Sequence, residues 1–280
     1  MPAATLPAMI DAARLHHVER GATPGPGTPT LVLLHGFTAD HRLLLTAVED
    51  AFADRPGWRR VYLDLPGMGA SPPSGVESTD DVLARVREAV DRLVPGPYAV
   101  MGESYGGYLA RGLVAGEPDR VRGVALVCPV IEPEHERRDV PEHRVLVRDA
   151  DLLRDVGAAA LDADEIGVVQ TPQTWRRTQA EVDPGVAAAD PETVRRVSSR
   201  YAGTFPVEPR RYDGPALFLL GRQDAVTGYR DAWRLLEHYP RATFAVLDRA
   251  GHNLQIEQPA LFTSLVGEWL DRVTEATADR

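Results

Sequence analysis

Gly102-Glu103-Ser104-Tyr105-Gly106 follows the apolar run Tyr98-Ala99-Val100-Met101 and opens the helix-like run Tyr105 to Val114. Strand, Gly-x-Ser-x-Gly and helix in succession leave the backbone little choice. The turn must be tight enough to hold its serine in a strained conformation. Glycines two before and two after the serine let strand and helix come close. The hydroxyl then stands at the top of a sheet, exposed to substrate. With 24 Gly in 280 residues, chance supplies only ~0.05 such pentapeptides.

Two later segments answer the serine. Asp224 lies in Leu219-Leu220-Gly221-Arg222-Gln223-Asp224, just past an apolar strand, and His252 lies in Ala250-Gly251-His252-Asn253, just past Phe244-Ala245-Val246-Leu247. The order Ser, Asp, His along the chain resembles that of the α/β-hydrolase fold superfamily, in its serine-nucleophile, cap-bearing branch. Further segments match that family: His35-Gly36-Phe37, Asp64-Leu65-Pro66-Gly67-Met68-Gly69-Ala70-Ser71, and Glu257-Gln258-Pro259 behind the histidine. The resemblance covers roughly Thr30 to Val273 and leaves roughly 130 to 210 unmatched, where such enzymes carry a variable cap. It implies an α/β fold with a mostly parallel, doubly wound sheet. These motifs specify the fold far better than the substrate.

Composition narrows the class. A chain of this length buries a substantial core. Hydrophobic content of 44% and charged content of 26% read as soluble and globular. The net charge of −10 argues against a nucleic-acid partner, which needs a basic face. There is no lysine, so Schiff-base and Walker A lysine chemistry are excluded. One cysteine, Cys128, has no partner within the chain, which suits a reducing, cytoplasmic setting. It follows a buried-looking strand, precedes Pro129 and reads as core rather than nucleophile. Met1 to Ile10 lacks the cationic start and apolar run of a signal peptide. The longest apolar stretch, near Val124 to Val127, is far too short to span a membrane.

Strands are expected at Arg14 to Glu19 (antiparallel), Thr30 to Leu34, Arg60 to Leu63, Tyr98 to Met101, Val121 to Val127, Ala216 to Leu220 and Thr243 to Leu247. Helices are expected at Leu43 to Phe52, at Ser78 to Val94 with Ser78 as cap, and at Ala260 to Val273 with Leu261, Leu265 and Trp269 on one face. Strands alternating with helices predict a parallel, doubly wound sheet. Residues 1–128 and 213–280 form the expected core domain, and 129–212 a mainly helical cap whose Leu152, Leu153, Val168, Val169, Trp175 and Tyr201 supply apolar packing.

A serine hydroxyl is a poor nucleophile until a base takes its proton. His252 is the expected base, and Asp224 would hold its tautomer. All three lie on loops at carboxyl ends of strands, where α/β sheets place their sites. In some relatives the acid follows the strand before the cap, where Glu132 and Glu134 lie here, and these stay open as alternatives. The family implies an oxyanion hole of two backbone N–H groups, here Phe37 and Tyr105. Phe37 and Trp175 are expected to line the substrate pocket, where an arginine of Trp175-Arg176-Arg177 could grip a carboxylate. His35 is expected to fix its loop and Asp64 to shape a turn. Glu103 adjoins the nucleophile, but neighbouring side chains need not point the same way, and it is given no catalytic role. His16, His17, His41, His135, His143 and His238 have no evident partners, and no cluster has metal-ligand spacing. No cofactor or metal is expected.

The expected activity is that of a serine hydrolase, foremost a carboxylic ester hydrolase on a small or medium substrate. A carbon–carbon bond hydrolase is an alternative, although Asn253-Leu254 replaces the aromatic residue that often follows the histidine in that family. A proline-iminopeptidase-like aminopeptidase is another, although its elbow usually ends in serine rather than Gly106-Gly107. A non-catalytic small-ligand receptor of the same fold is the last.

Overall fold

The computed structural model describes residues 14–162 and 164–278; Met1 to Ile10 lies outside them. The first strand, β1 (His17–Gly21), is followed by β2 (Thr30–Leu34), α1 (Arg42–Ala51), β3 (Arg59–Leu63), α2 (Thr79–Leu93), β4 (Tyr98–Glu103), α3 (Tyr105–Gly116) and β5 (Val121–Val127). After β5 come β6 (Val147–Arg148), α4 (Ala150–Val156), α5 (Ala158–Asp162), β7 (Val169–Gln170), α6 (Pro172–Glu181), α7 (Asp183–Ala188) and α8 (Pro191–Ser198). The chain then returns through β8 (Ala216–Gly221), α9 (Arg230–Trp233), β9 (Ala242–Leu247), α10 (Leu254–Glu257) and α11 (Pro259–Ala278).

Seven strands form one sheet in the order β1-β3-β2-β4-β5-β8-β9. All pairs are parallel except β1 with β3. The antiparallel N-terminal strand starts at His17, three residues later than expected. The near-continuous apolar runs follow from burial on both faces. Along β2, Leu31 and Leu33 pack into the cluster that holds Trp269 and Phe262, while Val32 and Leu34 pack into the cluster that holds Val82, Val86 and Leu109. Each fully buried leucine of this kind contributes about 1.5–3 kcal/mol.

Ser78 caps α2 by accepting a hydrogen bond from the Asp81 N–H, and Val82, Leu83, Val86, Ala89 and Val90 form its buried face. On α11, Trp269 is buried and Leu265 packs against the core as expected, with Phe262, Val266, Leu270 and Val273 also buried, whereas Leu261 is 47% exposed. Trp269 N–H donates to the Pro215 carbonyl at 3.2 Å.

Strands β5 and β8 are neighbours in the sheet, so the segment between them leaves the sheet and comes back. It carries the short helices α4 to α8 and a two-stranded parallel pair, β6 with β7. Several bonds tie it down over the carboxyl ends of the strands. Glu257 accepts from Val168 N–H at 2.6 Å, Asp190 N–H donates to the Gly67 carbonyl at 2.7 Å, and the buried Arg111 of α3 pairs with Glu208 through Nη2 at 2.6 Å. Among the described residues, no helix is long and apolar enough to cross a membrane.

Candidate active site

The sharp turn after β4 places Ser104. Its φ of +52° and ψ of −114° lie in a region that a side chain rarely adopts, at a cost of about 1–3 kcal/mol. The sheet holds it there: Ser104 N–H donates to the Val127 carbonyl at 2.9 Å, and the Ser104 carbonyl accepts from Val130 N–H at 3.0 Å. The two glycines are needed because a Cβ at Gly102 would overlap the Gly106 carbonyl, and one at Gly106 would overlap the Leu34 carbonyl.

Asp224 follows β8 and is fully buried. Its Oδ1 accepts from Val226 N–H at 2.8 Å and Thr227 N–H at 3.1 Å, and its Oδ2 from the Thr227 hydroxyl at 2.6 Å. His252 Nδ1 lies 3.1 Å from the same Oδ2. Burial would raise the Asp224 carboxyl, but the His252 charge and these donors outweigh it and hold it below the usual range. The loop of His252 is pinned from behind: Glu257 accepts from Gly251 N–H at 2.6 Å, and Gln258 Nε2 donates to the Arg249 carbonyl at 2.8 Å. That is the local reason for Glu257-Gln258 after the histidine.

Ser104 and His252 open into one cavity of about 1090 Å³, whose walls include Phe37, Arg138, Tyr201 and Asn253. Phe37 follows β2, Tyr105 opens α3, and their rings meet edge to face with centroids 5.1 Å apart. As the first residue of α3, Tyr105 carries one of the N–H groups that a helix N-terminus leaves without an intrahelical acceptor. Tyr201, from the segment after β5, packs on both rings at 5.4 and 5.0 Å.

Several residues lie elsewhere than expected. Trp175 is outside this cavity and lines a separate one of about 330 Å³ with Ile166, Thr174 and Glu257. Arg177 is consumed by Glu181, at 2.7 and 2.8 Å, and by the Gln255 carbonyl at 3.0 Å. Glu132 and Glu134 lie after β5, and Asp224, not either of them, meets His252. Glu134 does line the cavity. Arg138 is the cation that the sequence reading missed. Its guanidinium donates to the carbonyls of Glu132, Pro133 and Val226.

Glu103 also departs from its expected bystander role. It ends β4, is 1% exposed, and its Oε1 lies 3.4 Å from His252 Nε2. Burial is the main cause that pushes its carboxyl up to about 7, with the Asp224 charge adding, while the His252 charge and the Gly36 N–H oppose. For His252, burial works downward, but the charges of Asp224 and Glu103 prevail and lift it to about 9. The missed signal was readable. β4 is buried on both faces, so a glutamate at its end has no solvent side to turn to.

Away from the cavity, His35 accepts from Leu65 N–H through Nε2 at 2.9 Å, which leaves Nδ1 to donate to the Gly36 carbonyl at 2.7 Å. Asp64 is more than a turn residue. It accepts from His16 Nδ1 at 2.7 Å, from His41 Nδ1 and N–H at 2.8 Å, and from Ala70 N–H at 3.0 Å. Thus His16 and His41 do have a partner. The trio His16, His41 and Asp64, and the trio Cys128, Asp224 and His252, each bring possible metal ligands together. Two ligands on one tetrahedral zinc lie roughly 3.3 Å apart or more, so the 2.7–2.8 Å separations around Asp64 are hydrogen bonds. Burial raises the Cys128 thiol, so without an ion it stays protonated.

With this geometry in view, the relatives fall into place. Residues 29–259 match the α/β hydrolase fold family, and the chain belongs to it. It is an enzyme of that family. The pimeloyl-(acyl-carrier protein) methyl ester esterase of Nitrosomonas europaea is 28% identical over 89% of this chain and 96% of its own. The 2-succinyl-6-hydroxy-2,4-cyclohexadiene-1-carboxylate synthase of Escherichia coli K12 is 27% identical over 84% and 91%. Among solved structures, an α/β superfamily hydrolase from Oenococcus oeni superposes with a TM-score of 0.85 at 28% identity, covering 94% of this chain and 97% of that one. A thermophilic esterase from Thermogutta terrifontis gives 0.61 at 25% identity, covering 92% and 93%.

Proposed function

We propose that this enzyme is a cofactor-free serine hydrolase of carboxylic esters. The observation that carries the reading is Ser104 on its strained turn, sharing one cavity with a His252 whose Nδ1 is held by a buried, ionised Asp224. His252 Nε2 takes the Ser104 proton as Oγ attacks the ester carbonyl. The oxyanion is met by the backbone N–H groups of Phe37 and Tyr105. The imidazolium returns the proton to the leaving alcohol, and the acyl-enzyme is opened by a water that His252 activates. The esterase among the relatives supports an ester of a medium acyl chain, and the cavity volume accommodates one. The segment 129–212 acts as a cap and sets substrate choice through Tyr201 and Arg138.

The test is hydrolysis of p-nitrophenyl esters from acetate to decanoate by wild type and Ser104→Ala. Turnover that vanishes in the variant is expected, with a chain-length optimum that sizes the cavity. A folded wild type that a fluorophosphonate labels but that turns over no ester would instead favour the ligand receptor.

Arg138 favours one second reading. It pairs with no carboxylate among the described residues and lines the cavity. A ligand with its own carboxylate, like the compound that the synthase relative is named for making, would supply the missing anion. Weak turnover of neutral esters, with strong inhibition by small dicarboxylates that Arg138→Gln abolishes, would support it.

A further inference from the structure

Glu103 is a buried carboxyl that the ester mechanism leaves unused. Its Oε1 is shielded from solvent and has no hydrogen-bond partner, yet it lies 3.4 Å from Nε2 of His252. That nitrogen is the one that must accept the Ser104 proton. On its other side the carboxyl crowds the loop that holds Phe37, where a Cβ at Gly36 would overlap Oε2. An unpaired buried acceptor is costly, and this one persists against the base.

We propose that Glu103 is a positioning residue: a second carboxyl on His252, which holds a proton on Nε2 at the expense of the Ser104 hydroxyl and so sets the pH range in which the serine is activated. This rests on the serine-hydrolase reading above. With Glu103 ionised and His252 protonated, the Nε2–H faces the carboxylate and Ser104 has no base. Loss of that proton to solvent at higher pH breaks the N–H bond and leaves a neutral imidazole whose lone pair can take the Ser104 proton. The two groups therefore titrate as a coupled pair, and Ser104 is activated on its deprotonated side.

The remaining groups around the pair limit what else could set the titration. Asp224 presses on it from the turn after β8, and Cys128 from the end of β5, as a thiol that burial keeps protonated. Tyr201 faces it from the segment after β5, with its hydroxyl raised by burial. Arg138 opposes the carboxylates at His252. Of these, Glu103 is the acid on the Nε2 side. The raised positions of both Glu103 and His252 agree with a shared proton.

The experiment is the pH profile of kcat/KM for p-nitrophenyl acetate hydrolysis in wild type and Glu103→Gln, which keeps the shape and removes the charge. The acid limb is expected to move at least one pH unit lower, so that activity two units below the wild-type limb rises about tenfold. The alkaline plateau should stay within about threefold. A readout independent of turnover is the NMR titration of the His252 ring in a Ser104→Ala background, where Glu103→Gln should lower the midpoint by the same amount. If Glu103→Gln does not fold, Glu103→Asp carries the test, because it withdraws the carboxyl by one methylene and should shift both midpoints the same way by less. Midpoints equal to wild type would overturn the proposal. Turnover surviving in Ser104→Ala would instead overturn the serine-hydrolase reading, and the NMR titration would stand apart from it.

Discussion

Among the described residues, two clusters pair histidine with a buried aspartate, and one of them shares a cavity with Ser104. After β3, Asp64 accepts from His16, His41 and two backbone N–H groups. After β8, Asp224 accepts from His252, the Thr227 hydroxyl and two backbone N–H groups. The carboxylates are alike: both are buried, and both are held low by donors that outweigh burial. What differs is the far side of the imidazole. His252 lines the cavity of Ser104, whereas neither His16 nor His41 does. A His–Asp contact orients a ring; it becomes a catalytic base when the opposite nitrogen meets a nucleophile.

The largest effect that could break this comparison is at Ser104. Ser104→Ala should cut ester turnover on the order of 10⁴-fold or more while thermal unfolding hardly moves. Retained turnover would transfer the chemistry away from the Asp224 cluster altogether.

Asp224→Asn is next. With the wrong tautomer favoured at His252, kcat should fall by about 10³–10⁴. Stability should also fall, by about 2–4 kcal/mol, because Asn offers one acceptor oxygen to donors that Asp224 meets with two. A modest kinetic loss joined to a large fall in Tm would mean that this aspartate is scaffold, like Asp64.

Asp64→Asn sharpens the contrast from the other side. It removes a charge that two imidazoles and two N–H groups share, at about 2–4 kcal/mol of stability. That corresponds to a Tm lower by roughly 3–7 °C. For the protein that remains folded, kcat should stay within about threefold. A kcat loss approaching that of Asp224→Asn would erase the distinction.

The smallest effect is in the pH dependence of Tm. Asp64 and Asp224 have folded values below their unfolded ones, so their contributions are present above about pH 4 and fade as pH falls. His252 has a raised value, near 9. Its contribution is complete below about pH 6.5 and is lost as pH rises through about 9. Both clusters thus give an acid-side loss, and His252 adds an alkaline-side one. Asp224→Asn should flatten the alkaline decline, which Tm scans from pH 4 to 10 would reveal; an unchanged decline would contradict the coupling.

Much of the fold was legible because its signals are local. β2 and β5 have the expected ends, since an apolar run bounded by turn residues needs no distant information. Ser78 caps α2 as its residue type implies. The elbow at Ser104 was legible because the glycines exclude a Cβ at two close approaches. On α11 the buried Trp269 was legible, but the exposure of Leu261 in its first turn was not, because it depends on which neighbours dock there. Trp175 was expected in the pocket on residue type alone, and the docking of α6 turned it to another cavity.

By itself, then, the sequence determined which residues end the strands of a parallel sheet, and with them that Ser104, Asp224 and His252 share its carboxyl edge. Strand patterns and tight turns are set within a few residues, so they survive being read in one dimension. Only the tertiary structure decided that Asp224 and not Glu132 or Glu134 faces His252, that Tyr201 and Arg138 wall the cavity, and that Glu103 turns inward to Nε2. Those outcomes depend on distances between segments tens to hundreds of residues apart, and on a buried carboxyl whose ionisation is governed by neighbours brought near only by folding.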